Sequence, residues 1–137
     1  KAAIVVLKKV SDKGEVDLAT VEALGISYLN LEQDKEALPF LEKAALLGSK
    51  NKDVYYQLGN ARFRQNDFDA AIESYNKAID LGASDEVIFN NRGKAKLNKN
   101  LAKESLEDFT RALSIRQDYV LAYKNRVHDF WLKNFLV

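Results

Sequence analysis

The sequence predicts an all-α fold, a solenoid of antiparallel helix hairpins, and three observations predict it. Apolar and small residues recur at helical spacing on both sides of short polar breaks. The pattern repeats every 34 residues, and two ladders of glycine keep that same period. The clearest unit is 54–83, VYYQLGNARFRQNDFDAAIESYNKAIDLGA, whose two amphipathic stretches flank Gln65-Asn66-Asp67 as an αα-hairpin. Leu24-Gly25, Leu58-Gly59 and Arg92-Gly93 lie 34 residues apart, as do Ala37, Ala71 and Ser105, and again Ala44, Ala78 and Ala112.

Helices are expected over about 2–12, 17–31, 35–47, 52–65, 68–81, 86–98, 102–115 and 119–135. In 1–16, Ala3, Leu7 and Val10 fall 34 residues before Ala37, Leu41 and Ala44, so this segment reads as the second helix of a preceding repeat, or as a cap. Three complete units follow, 18–51, 52–85 and 86–119. Asp17, Asn51 and Asp85 each precede a first helix and read as N-caps. Gly14, Gly48 and Gly82 each follow a second helix, where a left-handed residue closes the C-cap. Gly25, Gly59 and Gly93 instead lie inside first helices, where Gly costs about 1 kcal/mol against Ala. That repeated loss predicts close helix approach, with Ala37, Ala71 and Ser105 as the small facing residues. Pro39 predicts a kink or a late helix start.

Residues 120–137 repeat the phase of a first helix, as part of a further repeat or as a capping helix. Val127 stands at the glycine position there. The apolar run of Phe130, Trp131, Phe135 and Leu136 predicts an end contact, with a neighbouring element or with a second copy. The chain opens without Met inside an apolar helical pattern and reads as a piece of a longer protein.

Over essentially its whole length the chain resembles the tetratricopeptide repeat (TPR) family. Tyr55, Leu58, Gly59, Ala71, Tyr75 and Ala78 fill the family's pattern in the central unit, whereas Arg62 replaces an aromatic and Ala83 a Pro. The resemblance implies a right-handed superhelix with first helices lining a concave groove and second helices behind. It also implies a non-enzymatic scaffold that binds an extended peptide or partner segment and needs no cofactor. In register with the glycines, the expected groove residues are Tyr56, Gln57, Asn60, Phe63, Asn90, Asn91, Lys94, Lys124, Asn125 and His128. Gln57, Asn91 and Asn125 form an amide ladder, and an amide can pair with both N–H and C=O of an extended backbone. Lys94 and Lys124 make one half of this face positive while Glu22 makes the other acidic, which favours a ligand with acidic residues. A carboxylate clamp of the kind found in one subfamily is not expected. Asn60 and Asn91 match its asparagines, but Tyr56, Leu121 and Asn125 replace its cations. Arg92 and Arg126 replace a usual Leu and are expected to pair with the backing helices, with Asp108 as a partner.

Composition narrows the function further. The formal net charge is +1, and although the last third is basic the groove carries no continuous basic stripe, so nucleic acid is not an expected partner. With no Cys and only His128, neither a nucleophile–base pair nor a soft metal site can be assembled. The carboxylates Asp67/Asp69 and Glu104/Glu107/Asp108 suit turns and solvated helix faces rather than acid–base dyads or a calcium loop. No apolar run reaches the roughly 18–20 residues of a membrane span. The compartment stays open, with the cytoplasm preferred over periplasm or secretion. The competing reading is a structural spacer or oligomerisation element acting through its exposed apolar ends.

Overall fold

The computed structural model describes residues 4, 5, 9, 16–116 and 120–135, with the side chains of 120–122 left aside. The described residues form seven helices: α1 (Leu18–Asn30), α2 (Asp34–Leu46), α3 (Lys52–Arg64), α4 (Phe68–Asp80), α5 (Glu86–Asn98), α6 (Ala102–Ile115) and α7 (Val120–Phe135). Each lies within one residue of its expected bounds. Ile4, Val5 and Lys9 are helical, but most of the expected helix at 2–12, with Gly14, lies outside the described residues, as does Leu136. α1–α2, α3–α4 and α5–α6 pack as hairpins, and α7 packs on α6. Successive first helices touch one another directly, whereas neighbouring second helices do not.

Local chemistry sets the ends of these helices. Asp17, Asn51 and Asp85 accept hydrogen bonds from the backbone N–H of Thr20, Asp53 and Ile88 at 2.7, 3.0 and 3.0 Å. Those bonds hold the Asp17 carboxyl below its ordinary range. Gly48 and Gly82 close α2 and α4 at φ +79° and +100°. The turn inside each hairpin also needs a left-handed residue, and it is filled by Glu32, Asn66 and Asn100 at φ 57°, 61° and 62°. Pro39 delays nothing: α2 begins at Asp34 and runs through it as one helix.

Packing at the inner glycines differs from the expectation in one respect. Ala37, Ala71 and Ser105 are fully buried, but the group pressed against each glycine lies four residues further along the second helix. A Cβ on Gly25 would sit 2.7 Å from Leu41 Cδ2; on Gly59, 2.5 Å from Tyr75 Cε1; on Gly93, 2.6 Å from Phe109 Cε1. The bare backbone makes room for a large side chain, not for a second small one.

Between helices of a hairpin, one pair of positions changes chemistry from unit to unit. Tyr28 stacks on Phe40 with centroids 5.5 Å apart. At the same phase Arg62 Nη1 donates to Ser74 Oγ at 2.7 Å. In the third unit Lys96 pairs with Asp108 at 2.8 Å, and Arg92 grips the same carboxylate through Nε and Nη2 at 2.8 and 2.6 Å. Arg92 thus pairs as expected. Arg126 does not join it: its guanidinium lies 5.8 Å from the Tyr123 ring centroid.

α7 carries an unusual burden. Asp129 is fully buried, and neither carboxylate oxygen has a hydrogen-bond partner among the described residues. It stands at the phase of Ala61 and Ala95. Burial pushes its carboxyl above the ordinary range, while Ser105, Lys133 and His128 pull the other way. The Ser105 hydroxyl itself donates to Ala102 O at 2.8 Å.

Two outcomes follow for stability. Gly59→Leu should cost more than the roughly 1–3 kcal/mol of simple overpacking and move Tyr75. Gly82→Ala, strained at φ +100° but with open space around its Cβ, should cost about 1 kcal/mol. Urea melts that rank them equally would refute the packing role of Gly59. Asp129 binds its proton more tightly in the folded chain, so it stabilises least above its folded pKa, and that loss disappears as pH falls toward about 4. Asp129→Ala should therefore gain about 1–3 kcal/mol at pH 7, and the gain should shrink on acidification. A gain independent of pH in the same melts would contradict this.

Candidate functional site

Seen from the residues upward, the groove is organised by a hydrogen-bond network that joins α3, α4 and α5. Tyr75 on α4 is almost fully buried, and its hydroxyl donates to Asn60 Oδ1 at 2.8 Å. Burial pushes the Tyr75 hydroxyl well above its ordinary range, so it keeps the proton that it donates. The same Asn60 oxygen accepts from Asn91 Nδ2 at 3.2 Å, which fills both its lone pairs. Asn91 Nδ2 also lies 3.5 Å from the Tyr56 hydroxyl, and Asn60 Nδ2 lies 3.4 Å from Gln57 Oε1. These contacts orient the amides and leave Asn91 Oδ1 and Gln57 Nε2 without a hydrogen-bond partner among the described residues.

A depression of about 260 Å³ opens over this network, lined by Asn60, Phe63, Arg64, Tyr75, Asn91 and Lys94. Phe63 packs edge-on against Phe68 at 5.4 Å between centroids and supplies an apolar wall. Arg64 is held by Asp34 at 2.7 Å, whereas Lys94 has no ion-pair partner among the described residues. The middle of the site is therefore positive. Glu22, further along the same face, accepts a hydrogen bond from the buried Ser49 hydroxyl.

Not all of the expected residues meet here. Tyr56, Gln57, Asn60, Phe63, Asn91 and Lys94 come together. Asn90 is a correction: it is fully buried, so it cannot touch a groove ligand, and its Oδ1 instead accepts from Asn125 Nδ2 at 3.0 Å. That bond docks α7 on α5 and breaks the continuity of the amide ladder, because Asn125 answers Asn90 rather than Asn91. Lys124 is exposed, and His128 belongs to a separate hollow at the turn between α5 and α6, beside Asn98 and Asn100. Phe130, Trp131 and Phe135 remain more than half exposed on α7, with the Trp131 and Phe135 rings 4.4 Å apart. Tyr75 was missed as a site residue because its position reads as core. The signal was its hydroxyl, since a Tyr at a core position needs a polar partner.

Among the described residues no cluster of His, Cys, Asp or Glu is arranged to hold a metal, and no helix is long and apolar enough to cross a membrane. Residues 59–100 match the family model described as TPR repeat. No curated protein matches the sequence. Solved structures with the same fold include MamA, 24% identical over 95% of this chain and 76% of that one, with a TM-score of 0.83. The first TPR of Spaghetti (RPAP3), bound to the HSP90 peptide SRMEEVD, is 20% identical over 85% of this chain and 92% of its own, with a TM-score of 0.73. YrrB, a TPR protein with an unusual peptide-binding site, is 23% identical over 90% and 64%, also at 0.73. Residues 59–100 thus match the TPR repeat model, and the helix-hairpin solenoid around them has the fold of solved TPR proteins.

Proposed function

We propose that the chain is a non-enzymatic protein-interaction scaffold whose groove holds an extended, acidic segment of a partner protein. The observation that carries this reading is the ordered amide network of Asn60 and Asn91, which lines the depression together with Lys94. Peptide binding by YrrB and by the RPAP3 repeat supports the reading by analogy of fold. Each backbone-to-amide hydrogen bond contributes about 0.5–1.5 kcal/mol net, against about 8 kcal/mol for micromolar affinity. The amides therefore set the direction and register of the segment. Phe63 and Lys94 contribute the remaining selectivity.

A second reading rests on the exposed aromatic face of α7, where Phe130, Trp131 and Phe135 lie together. It makes the chain an oligomerisation element. Trp131→Ala should then abolish concentration-dependent association in sedimentation. A parent chain that stays monomeric at high concentration would remove this alternative.

For the groove, a partner captured from lysate should bind Asn91→Ala about 2- to 10-fold more weakly, as expected for one lost hydrogen bond. Lys94→Glu should weaken it further and flatten its salt dependence. Calorimetry showing parental affinity for both variants would place the contact elsewhere on the molecule.

A further inference from the structure

A second pocket shares no lining residue with the groove depression. This pocket of about 450 Å³ lies between α2 and α4, floored by α3, with Tyr55, Leu58 and Arg62 at its base. Arg62 and Ser74 occupy the phase that holds Tyr28 and Phe40 one unit earlier and Lys96 and Asp108 one unit later. In the first unit two rings satisfy each other, and in the third a carboxylate neutralises the cation. In the central unit the cation is present and the carboxylate is not.

Among the described residues Arg62 is anchored through Nη1 alone, which donates to Ser74 Oγ at 2.7 Å and to Ala70 O at 3.5 Å. Its Nε and Nη2 donate to no described residue, and neither is a buried orphan, so both reach solvent. That Nε/Nη2 edge is the one with which Arg92 grips both oxygens of Asp108. Further donors lie close by. Asn76 spends its Oδ1 on Arg92 Nη1 at 2.8 Å and keeps its amide N–H groups, and the Lys77 ammonium lies 5.9 Å from the Tyr55 ring centroid. Glu73 and Asp80 on the rim oppose a run of negative charge.

We propose that this pocket receives a single acidic side chain of a protein partner, its carboxylate gripped by the Nε/Nη2 edge of Arg62 and its stem lying on Tyr55 and Leu58. The site is independent of the groove and gives the chain a second face for assembly.

The side-chain Nε–H resonance of Arg62, assigned by its loss in Arg62→Lys, reports on this directly. The full 137-residue chain is titrated with N-acetyl-aspartate N-methylamide, with the asparagine analogue at equal ionic strength as control. The aspartate probe should give a saturable shift that the asparagine probe does not. Ser74→Asp supplies the missing carboxylate from within, so it should raise Tm and abolish the shift. A capped tri-aspartate should bind no tighter than the single residue. The proposal is overturned by a non-saturable response, by an equal response at exposed Arg64, or by a shift that persists in Ser74→Asp. Tighter binding of the tri-aspartate would also overturn it, since that would mark a diffuse anion surface. If Ser74→Asp does not fold, Arg62→Lys decides, because it keeps the charge and loses the fork. Saturable shifts of the Ser74 and Lys77 amides with the aspartate probe should vanish in that variant, and their survival would sink the idea.

Discussion

Everything in this molecule depends on three places where a first helix gives up its side chain so that a second helix can lean on its backbone. Leu41 rests on Gly25, Tyr75 on Gly59 and Phe109 on Gly93, at distances no Cβ could share. This contact fixes how close and at what rotation the two helices of a hairpin lie. It therefore fixes which residues of the first helix turn outward. The groove amides stand beside these glycines in sequence, and Asn60 is the immediate neighbour of Gly59. Moving the ring off the glycine would move the Tyr75 hydroxyl away from Asn60, so core packing and site geometry share one support.

Much of the fold was legible because its causes are local and repeated. A cap residue, an interior glycine and a left-handed C-cap each leave a trace at a fixed phase, and the 34-residue period shows every trace more than once. What escaped notice was chemistry that needs the third dimension. The glycine's partner could not be read from small facing residues, because the contact is made by a side chain reaching back along its own helix. Asn90 and Asn91 are indistinguishable in composition, yet one residue of helical rotation buries the first and leaves the second at the groove. Glu32 gave no hint of a left-handed backbone; only its alignment with Asn66 and Asn100 reveals it.

A repeat constrains shape far more than it constrains chemistry. The position pair 28/40 holds an aromatic stack, 62/74 a hydrogen bond from a cation to a hydroxyl and 96/108 an ion pair, all within the same hairpin geometry. Asp108 is only 4% exposed and is held by two cations. Removing one member of such a group exposes the others to the full cost of burial. Asp129 is the opposite case, a buried carboxylate with no hydrogen-bond partner among the described residues, on the helix that also carries the exposed aromatic cluster.

The uneven contacts between neighbouring units give the array a mechanical character. First helices touch one another, and each second helix packs on the first helix of the following unit, so every joint is held both along the groove floor and behind it. The inner spacing is set in part by side-chain bonds between neighbouring first helices, such as Asn91 to Asn60 at 3.2 Å. The groove thus has the character of a ruler whose pitch is set by the packing of the repeats. For the proposed extended segment, anchor points spaced in advance by the fold would lower the ordering free energy that opposes docking.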